Sequence, residues 1–156
     1  MKKKIYTIDQ LEKIILSKKK AGLKIVMCHG VFDLLHFGHI NHFNSSKKAG
    51  DILIISVTSD KHVKKGPNRP YFNETIRTKS LASLEIVDYV FVSNSHTAIN
   101  SINKIKPDFY SKGKDYSDNS NDVTGNIRYE KQAIKQVGGK IFITDDELLS
   151  SSNLLN

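Results

Sequence analysis

The feature that most constrains the fold of this chain is an alternation between short β-branched apolar runs and helical segments. Residues 24–28 (KIVMC) and residues 51–59 (DILIISVTS) have the length and composition of buried strands. Between them, residues 38–49 predict a helix that ends at Gly50. A strand, a helix and a second strand in this order indicate a parallel pair, because parallel neighbours need a crossover connection.

The alternation continues along the chain. Thr7-Ile8-Asp9-Gln10 has capping-box spacing and predicts a first helix that ends before Gly22. Further helices are predicted at 73–84, 97–105 and 126–137, and further strands at 89–92, 108–111 and 140–144. We therefore expect an α/β fold, a Rossmann-like doubly wound parallel five-stranded sheet with helices on both faces. Function is expected in the loops at the carboxyl ends of the strands, and residues 116–124 predict a mobile loop.

Length and composition fit one domain. The 156 residues, 38% hydrophobic, supply one core, with an N-terminal helix in residues 1–22, a core in residues 23–149 and the start of a C-terminal helix in residues 150–156. No apolar run approaches the roughly 20 residues of a bilayer span, and no apolar segment follows the basic N-terminus. The single cysteine, Cys28, cannot form an internal disulfide. We expect a cytoplasmic protein with no membrane partner.

The formal net charge of +8 suggests an anionic partner. Of the 24 basic residues 21 are lysine, and only Arg69, Arg77 and Arg128 are arginine. Base recognition and bidentate phosphate contacts favour arginine, and the lysines are scattered in short runs. The composition therefore favours an anionic small ligand on a lysine-rich, solvated surface over a nucleic-acid partner.

The segment CHGVFDLLHFGH, residues 28–39, leads from the first strand into a helix. It places His36 and His39 in the first helical turn, with Gly38 between them. Free amides and the helix dipole attract anions at such a position, so a polyphosphate fits there. Imidazoles beside phosphates are expected to be protonated and to neutralise charge on a reacting phosphorus.

Two other interpretations of these histidines remain open. His36, His39 and His42 could bind zinc, although no cysteine or carboxylate stands beside them to complete a tetrahedral site. They could also be structural caps of a packed helix. Neither alternative accounts for the helix start as a ready anion site.

The run from Gly30 to His39 resembles the signature of the nucleotidyltransferase superfamily that carries the HxGH motif. This superfamily includes glycerol-3-phosphate and phosphocholine cytidylyltransferases, pantetheine-phosphate adenylyltransferase and heptose 1-phosphate adenylyltransferases. The similarity to the adenylyltransferase domain of bifunctional heptose enzymes extends over residues 5–156. Its landmarks, in order, are Thr58-Ser59-Asp60, Lys65-Gly66, Arg69-Pro70, Arg77, Val87-Asp88-Tyr89-Val90, Lys106-Pro107-Asp108, Lys112-Gly113-Lys114-Asp115-Tyr116, Gly138-Gly139 and Ser150-Ser151-Ser152.

The resemblance implies a role for each matching residue. His36, His39 and Lys65 are the implied catalytic residues, with Lys64 as the alternative to Lys65. The implied nucleotide contacts are Gly30, Val31, Phe32, Asp33, Gly38, Lys64, Arg77, Lys112, Gly113, Asp115, Ser150, Ser151 and Ser152. Lys64 and Lys65 could also be a solvated turn, and the three serines could be a plain helix cap.

The reaction implied by the resemblance joins a sugar or polyol phosphate to a nucleoside monophosphate from ATP or CTP. Pyrophosphate leaves, and the product is a nucleotide-activated sugar for surface polysaccharide synthesis. Mg²⁺ is expected to arrive with the triphosphate. A phosphate monoester is already largely ionised at neutral pH, so no general base is required.

One departure from the family bears on the nucleobase. Glycerol-3-phosphate cytidylyltransferases carry an arginine about five residues before the serine turn, where this chain has Thr144-Asp145-Asp146-Glu147. The acidic stretch favours adenylyl transfer, with cytidylyl transfer to glycerol phosphate or a similar polyol phosphate as the alternative. A non-catalytic nucleotide- or nucleic-acid-binding module is the alternative from another class.

The last four residues are too few to form a stable helix after Ser150, Ser151 and Ser152. The sequence therefore predicts a piece of a longer protein, or a last helix completed by a partner such as a second copy in a homodimer. In the heptose enzymes that the chain resembles, a sugar kinase lies on the same polypeptide, so a fused or separate kinase is the expected partner.

Overall fold

The computed structural model of the protein describes residues 2–117 and 126–146. Its strands are β1 (Ile25–Gly30), β2 (Ile52–Thr58), β3 (Tyr89–Ser93), β4 (Phe109–Gly113) and β5 (Lys140–Thr144). Its α-helices are α1 (Ile8–Lys20), α2 (Phe37–Lys47), α3 (Glu74–Ala82), α4 (Ile99–Ile105) and α5 (Asn126–Gln136). The strands form one parallel sheet in the order β3-β2-β1-β4-β5. This confirms the predicted Rossmann-like sheet.

Helices cover both faces of the sheet, as the alternation of side chains along each strand requires. Ile25 and Met27 of β1 pack into the cluster that buries α1, α4 and α5. Val26 and Cys28 point to the other face, into the cluster that contains Phe43 of α2 and residues of α3. Both faces of β1 are therefore apolar, and its carboxyl end opens at the middle of the sheet.

The helices and strands predicted between residues 7 and 144 are present, with their ends shifted by at most two residues, and the helix start predicted at 150–156 lies outside the described residues. The shift that matters for function is at β1, which extends past Cys28 to Gly30. His29 and Gly30 pair in register with Ser56 and Val57 of β2, so the longer second strand keeps the first one extended. His29 therefore belongs to the sheet and is buried.

The start of α1 confirms the predicted capping box. Thr7 Oγ1 accepts the Gln10 N–H at 3.2 Å, and Gln10 Oε1 accepts the Thr7 N–H at 3.0 Å. A short 3₁₀ helix, Lys114–Ser117, begins the segment predicted as a mobile loop, and most of that segment lies outside the described residues. None of the described helices combines the length and the apolar character that a bilayer crossing requires.

Candidate active site

The carboxyl ends of three strands and the start of α2 surround a cavity of about 370 Å³. Nine residues predicted from the sequence line it: Gly30, Val31, Phe32, Gly38, His39, Lys65, Lys112, Gly113 and Asp115. Four further lining residues were not predicted as site residues: His29, His42, Thr144 and Asp146. The cavity therefore lies where ligands of parallel α/β sheets bind.

The two motif histidines form the N-terminal cap of α2. His36 Nδ1 accepts the Gly38 N–H at 3.0 Å, and His39 Nδ1 accepts the His36 N–H at 3.3 Å. Their rings stack with centroids 4.0 Å apart. The cap thus consumes one nitrogen of each ring and leaves the other, Nε2, for a ligand.

This arrangement fixes the tautomer of both rings. A nitrogen that accepts a backbone N–H cannot carry its own hydrogen, so each neutral ring is protonated on Nε2. Burial, as the largest cause, and the charges of the neighbouring imidazoles and Lys65 together lower the pKa of His39 to about 4. Without a ligand, His39 is therefore a neutral ring whose Nε2–H is the donor, and protonation beside bound phosphates stays a prediction.

His36 and His39 differ in their access to the cavity. His39 lines it, whereas His36 stacks behind His39 and is not part of the lining. His36 Nε2 is buried and has no hydrogen-bond partner among the described residues. A buried donor without a partner costs roughly 1–3 kcal/mol, which is the kind of cost that a ligand at an active site relieves.

The turn after β1 places Phe32 against the motif helix. Phe32 has a left-handed backbone with φ 52°, and its ring folds back over Gly30. A Cβ at Gly30 would lie 2.9 Å from the Phe32 ring, so any larger residue at this position would displace the ring. The same ring makes edge contacts with His39 and Phe43, at centroid distances of 5.6 and 5.3 Å. Phe32 thus holds the His39 ring in place.

Asp33 does not line the cavity, although the resemblance implied a nucleotide contact. Its carboxylate accepts the N–H groups of Tyr71 and Phe72, at 2.8 and 2.9 Å, and the Arg69 Nε–H at 3.1 Å. Burial raises the pKa of Asp33, but these hydrogen bonds outweigh burial and the net pKa is lowered. The ionised carboxylate therefore holds the loop before α3 against the turn after β1.

Arg77 is also internal, although the resemblance implied a nucleotide contact for it. Its guanidinium is fully buried and donates to protein oxygens on every side. The acceptors, at 2.6–3.0 Å, are the carbonyls of Val31, Thr58 and Phe72 and the carboxylate of Asp60. Arg77 therefore joins the turn after β1 to the end of β2 and has no free face for a phosphate.

The two lysines of the loop after β2 are separated by the structure. Lys65 lines the cavity, and Lys64 does not. Partial burial lowers the pKa of Lys65, with Arg69 adding to the effect and Asp33 opposing it. Lys65 is thus the better candidate for a phosphate contact. The predicted contacts Ser150, Ser151 and Ser152 lie outside the described residues.

The residues that the sequence did not reveal complete the cavity wall. His42 lies one helical turn after His39, and its Nδ1 is 2.8 Å from Thr144 Oγ1 of β5. His29 Nδ1 is 2.9 Å from Ser56 Oγ. Burial lowers the pKa of both His29 and His42 to about 4, and Lys112 adds to the effect in each. The three-residue spacing from His39 to His42 could have indicated that His42 lies on the same face of α2 and faces the cavity. His29 could be placed at the cavity only once the end of β1 was known.

Charge is distributed unevenly around the cavity. Lys65 and the start of α2 lie on one side, whereas the carboxylates of Asp115 and Asp146 lie beyond the ends of β4 and β5. Asp146 Oδ1 accepts the Ser45 hydroxyl at 3.0 Å, and its Oδ2 is buried without a partner in the described structure. Lys112, at the end of β4 next to β1, also lines the cavity.

No group of three metal-ligating side chains forms within residues 2–117 and 126–146. The zinc interpretation of His36, His39 and His42 therefore has no support in this part of the chain. Two of the three rings are also committed to the cap of α2 through Nδ1, and His42 is held by Thr144.

Comparison with known proteins gives relatives over nearly the whole chain. This chain is 36% identical over 162 aligned positions to the bifunctional protein HldE of Campylobacter fetus, and the alignment covers 99% of this chain and 31% of that protein. It is 40% identical to HldE of Aliarcobacter butzleri, covering 87% of this chain and 29% of the relative. The chain thus spans less than a third of the length of these relatives.

Solved structures agree with the fold. A lipopolysaccharide core biosynthesis protein of Thermoplasma volcanium superposes with a TM-score of 0.62 at 29% identity, covering 78% of this chain and 94% of that one. A pantoate-beta-alanine ligase of Francisella tularensis superposes with a TM-score of 0.69 at 21% identity, covering 99% of this chain and 74% of that one. The family model described as cytidylyltransferase-like matches residues 27–155, and this protein belongs to that family.

Proposed function

We propose that this protein is a nucleotidyltransferase that transfers a nucleoside monophosphate from ATP or CTP to a sugar phosphate. Pyrophosphate is released, and the product is a nucleotide-activated sugar for surface polysaccharide synthesis. The observation that carries the proposal is the helix start capped by His36 and His39, which opens beside a cavity that Lys65 and Lys112 also line. Membership of the cytidylyltransferase-like family supports the reaction class.

The chemistry needs positioning and charge stabilisation more than acid–base catalysis. A phosphate oxygen of the acceptor attacks the α-phosphorus, the bond from that phosphorus to the bridging oxygen breaks, and the oxygen leaves on pyrophosphate. The attacking phosphate monoester has a second pKa near 6 and is already largely ionised at neutral pH. The residues of the chain therefore hold both reactants and stabilise the charge that develops in the transition state.

The two histidines supply donors that are fixed before the triphosphate arrives. Each Nε2–H is oriented because Nδ1 is tied to a backbone N–H of the same helix turn. A neutral donor fixed in this way stabilises negative charge without a change of protonation state. His39 Nε2 contacts the triphosphate from the cavity wall. The His36 ring lies behind the His39 ring and offers its own Nε2–H as a second donor.

The uneven charge of the cavity orients the nucleotide. Phosphates bind toward the start of α2 and Lys65, because the carboxylates of Asp115 and Asp146 repel them at the other side. The base and ribose then extend toward Asp115 and Asp146, whose carboxylates accept hydrogen bonds only. An acceptor at this end favours a base with an exocyclic amino group, such as adenine, and disfavours an oxo group at the same position.

Mg²⁺ fits this arrangement as a partner of the triphosphate. It prefers oxygen ligands and keeps several waters, so it requires few protein side chains. Phosphate oxygens and water would hold it at the phosphate end of the cavity. When bound, the metal supplies neutralisation of the leaving pyrophosphate.

The experiment that tests the proposal follows pyrophosphate release from each of ATP, CTP, GTP and UTP with a panel of acceptors. Heptose 1-phosphate is the first acceptor to test, because the sequence resembles heptose 1-phosphate adenylyltransferases, and glycerol 3-phosphate is the second. ATP with a sugar 1-phosphate is the expected pair. Release from CTP with glycerol 3-phosphate alone would favour the cytidylyltransferase alternative. Triphosphate binding without release for any pair would favour a non-catalytic binding module.

The relatives named HldE are bifunctional and much longer than this chain. We propose that a sugar kinase, fused to this domain or separate from it, supplies the sugar phosphate. Cytoplasmic localisation and a homodimer also stay proposals.

A further inference from the structure

Lys112 is the cavity-lining cation whose surroundings are aromatic. Its Nζ lies 5.3 Å from the centroid of the Tyr116 ring and 5.8 Å from that of Tyr110. The nearest polar contact is the carbonyl oxygen of His29, at 3.5 Å. Among the described residues, no carboxylate pairs with this ammonium. Lys112 is thus held by ring faces and one carbonyl, and its positive charge is not neutralised.

One buried carboxylate holds the hydroxyl ends of the Tyr110 and Tyr116 rings. Glu130 of α5 accepts the Tyr116 hydroxyl at 2.8 Å and the Tyr110 hydroxyl at 3.2 Å on the same oxygen. Its other oxygen accepts the Ala98 N–H at 2.7 Å, so the carboxylate is anchored to the start of α4. The rings meet edge to face, with centroids 6.0 Å apart. Glu130 therefore fixes both ring planes through hydrogen bonds at their far ends.

This arrangement has a physical consequence for the ammonium. An aromatic face attracts a cation through its quadrupole, most strongly where water is excluded. Because both phenol hydroxyls donate to Glu130, the two ring faces keep fixed positions toward the ammonium. A carboxylate partner would also hold Lys112, but it would cancel the charge that a phosphate requires. Ring faces restrict the ammonium and leave that charge available.

We propose that Tyr110 and Tyr116, held by Glu130, are positioning residues that keep the Lys112 ammonium placed for the triphosphate. The inference rests on the proposed function, because it assumes that the cavity binds a nucleoside triphosphate. Tyr116 acts through Lys112 and does not touch the ligand. Its effect on triphosphate binding must therefore disappear when Lys112 is absent.

A double-mutant cycle tests this dependence. Calorimetry measures the dissociation constants of MgATP and MgCTP for four proteins: the wild-type chain, the Tyr116→Leu variant, the Lys112→Met variant and the variant that carries both substitutions. Tyr116→Leu is expected to weaken binding of the preferred triphosphate by about five- to thirtyfold, the range of a partly desolvated cation–π contact. In the Lys112→Met background, the same substitution is expected to change binding by less than about twofold. Equal effects in the two backgrounds would overturn the proposal.

Controls separate positioning from a general loss of structure. Tyr129→Leu removes a tyrosine of α5 that stacks with Arg128 and is exposed, and it should leave triphosphate binding unchanged. If Tyr116→Leu does not fold, Tyr116→Phe and Glu130→Gln replace it in the cycle. These variants keep the rings but weaken their anchoring, and they should weaken binding by about two- to fivefold only when Lys112 is present.

The cycle also distinguishes this proposal from the proposed function. A wild-type chain that binds triphosphate and releases pyrophosphate, but shows no coupling between Tyr116 and Lys112, would overturn the positioning role alone. A wild-type chain that binds neither MgATP nor MgCTP would overturn both. Coupling without pyrophosphate release for any acceptor would support the positioning role and overturn the proposed reaction.

Discussion

The helix cap formed by His36 and His39 and the buried pair Asp33 and Arg77 both consist of polar side chains next to the cavity. They differ in how many hydrogen-bonding groups remain for a ligand. His36 and His39 each spend one nitrogen on the backbone and keep one for a ligand. Asp33 and Arg77, equally prominent in the sequence, spend their hydrogen-bonding groups on the protein. The number of bonds that a side chain has left over, more than its charge, separates binding residues from residues that hold the site together.

Substitutions of the buried residues Asp33 and Arg77 should therefore lower stability more than they change ligand binding. Arg77→Met is expected to lower the free energy of unfolding by about 3–5 kcal/mol, because several buried carbonyl oxygens lose their donor at about 1–3 kcal/mol each. Denaturant unfolding measures the loss, and Arg77→Lys should recover part of it. A variant as stable as wild type that has lost triphosphate binding would place Arg77 among the nucleotide contacts instead.

His29 tests the comparison through pH, since both its ring nitrogens face protein atoms. Its pKa is about 4 in the folded state, against about 6.5 for an unfolded chain, so the unfolded state binds more protons between these values. The contribution of His29 to stability should be complete above pH 6.5 and fall by about 3 kcal/mol as the pH drops to 4. His39 and His42, whose pKa values are also about 4, act in the same direction, so His29→Gln should reduce the slope of stability with pH without abolishing it, and His96→Gln, at an exposed ring, should not change it. An unchanged slope in His29→Gln would contradict the assignment.

The helix cap should show the reverse pattern, with a loss of turnover and little loss of stability. His36→Asn and His39→Asn keep an acceptor near the Nδ1 position for the backbone N–H but remove the Nε2–H donor. We expect kcat/KM for nucleotidyl transfer to fall at least about 100-fold, or about 2.7 kcal/mol of transition-state stabilisation. Thermal unfolding serves as the control. Asparagine variants with wild-type turnover would remove these histidines from the catalytic role.

The smallest effect is expected at the acidic side of the cavity, where we propose that the base binds. Asp146→Asn adds a donor to a position that only accepts, so discrimination of ATP against ITP, which carries an oxo group, should fall about tenfold. Asp145→Asn, at an exposed neighbour outside the cavity lining, is the matched control. The measurement is the ratio of the two kcat/KM values. Equal ratios in the two variants would leave base selection to other residues.

The sequence predicted the sheet and the histidine pair because both depend on short segments. Strand character and the spacing of His36 and His39 at a helix start are local patterns, and the structure confirms these elements. The role of Arg77 depends on carbonyls at residues 31, 58 and 72, which no local pattern connects. His29 was missed for a related reason, since the end of β1 is decided by its pairing with β2.

The cavity is made by both halves of the chain, and this has a consequence for folding. β1 lies between β2 and β4, and the Ile25 N–H is bonded to Asp108, 83 positions later. Any partly folded species that contains only β1, β2 and β3 lacks Lys112, Asp115 and Asp146. Triphosphate therefore cannot template early folding, and its binding energy is added only to the complete native state. We expect a nucleotide to slow the unfolding of this protein and to leave its refolding rate nearly unchanged.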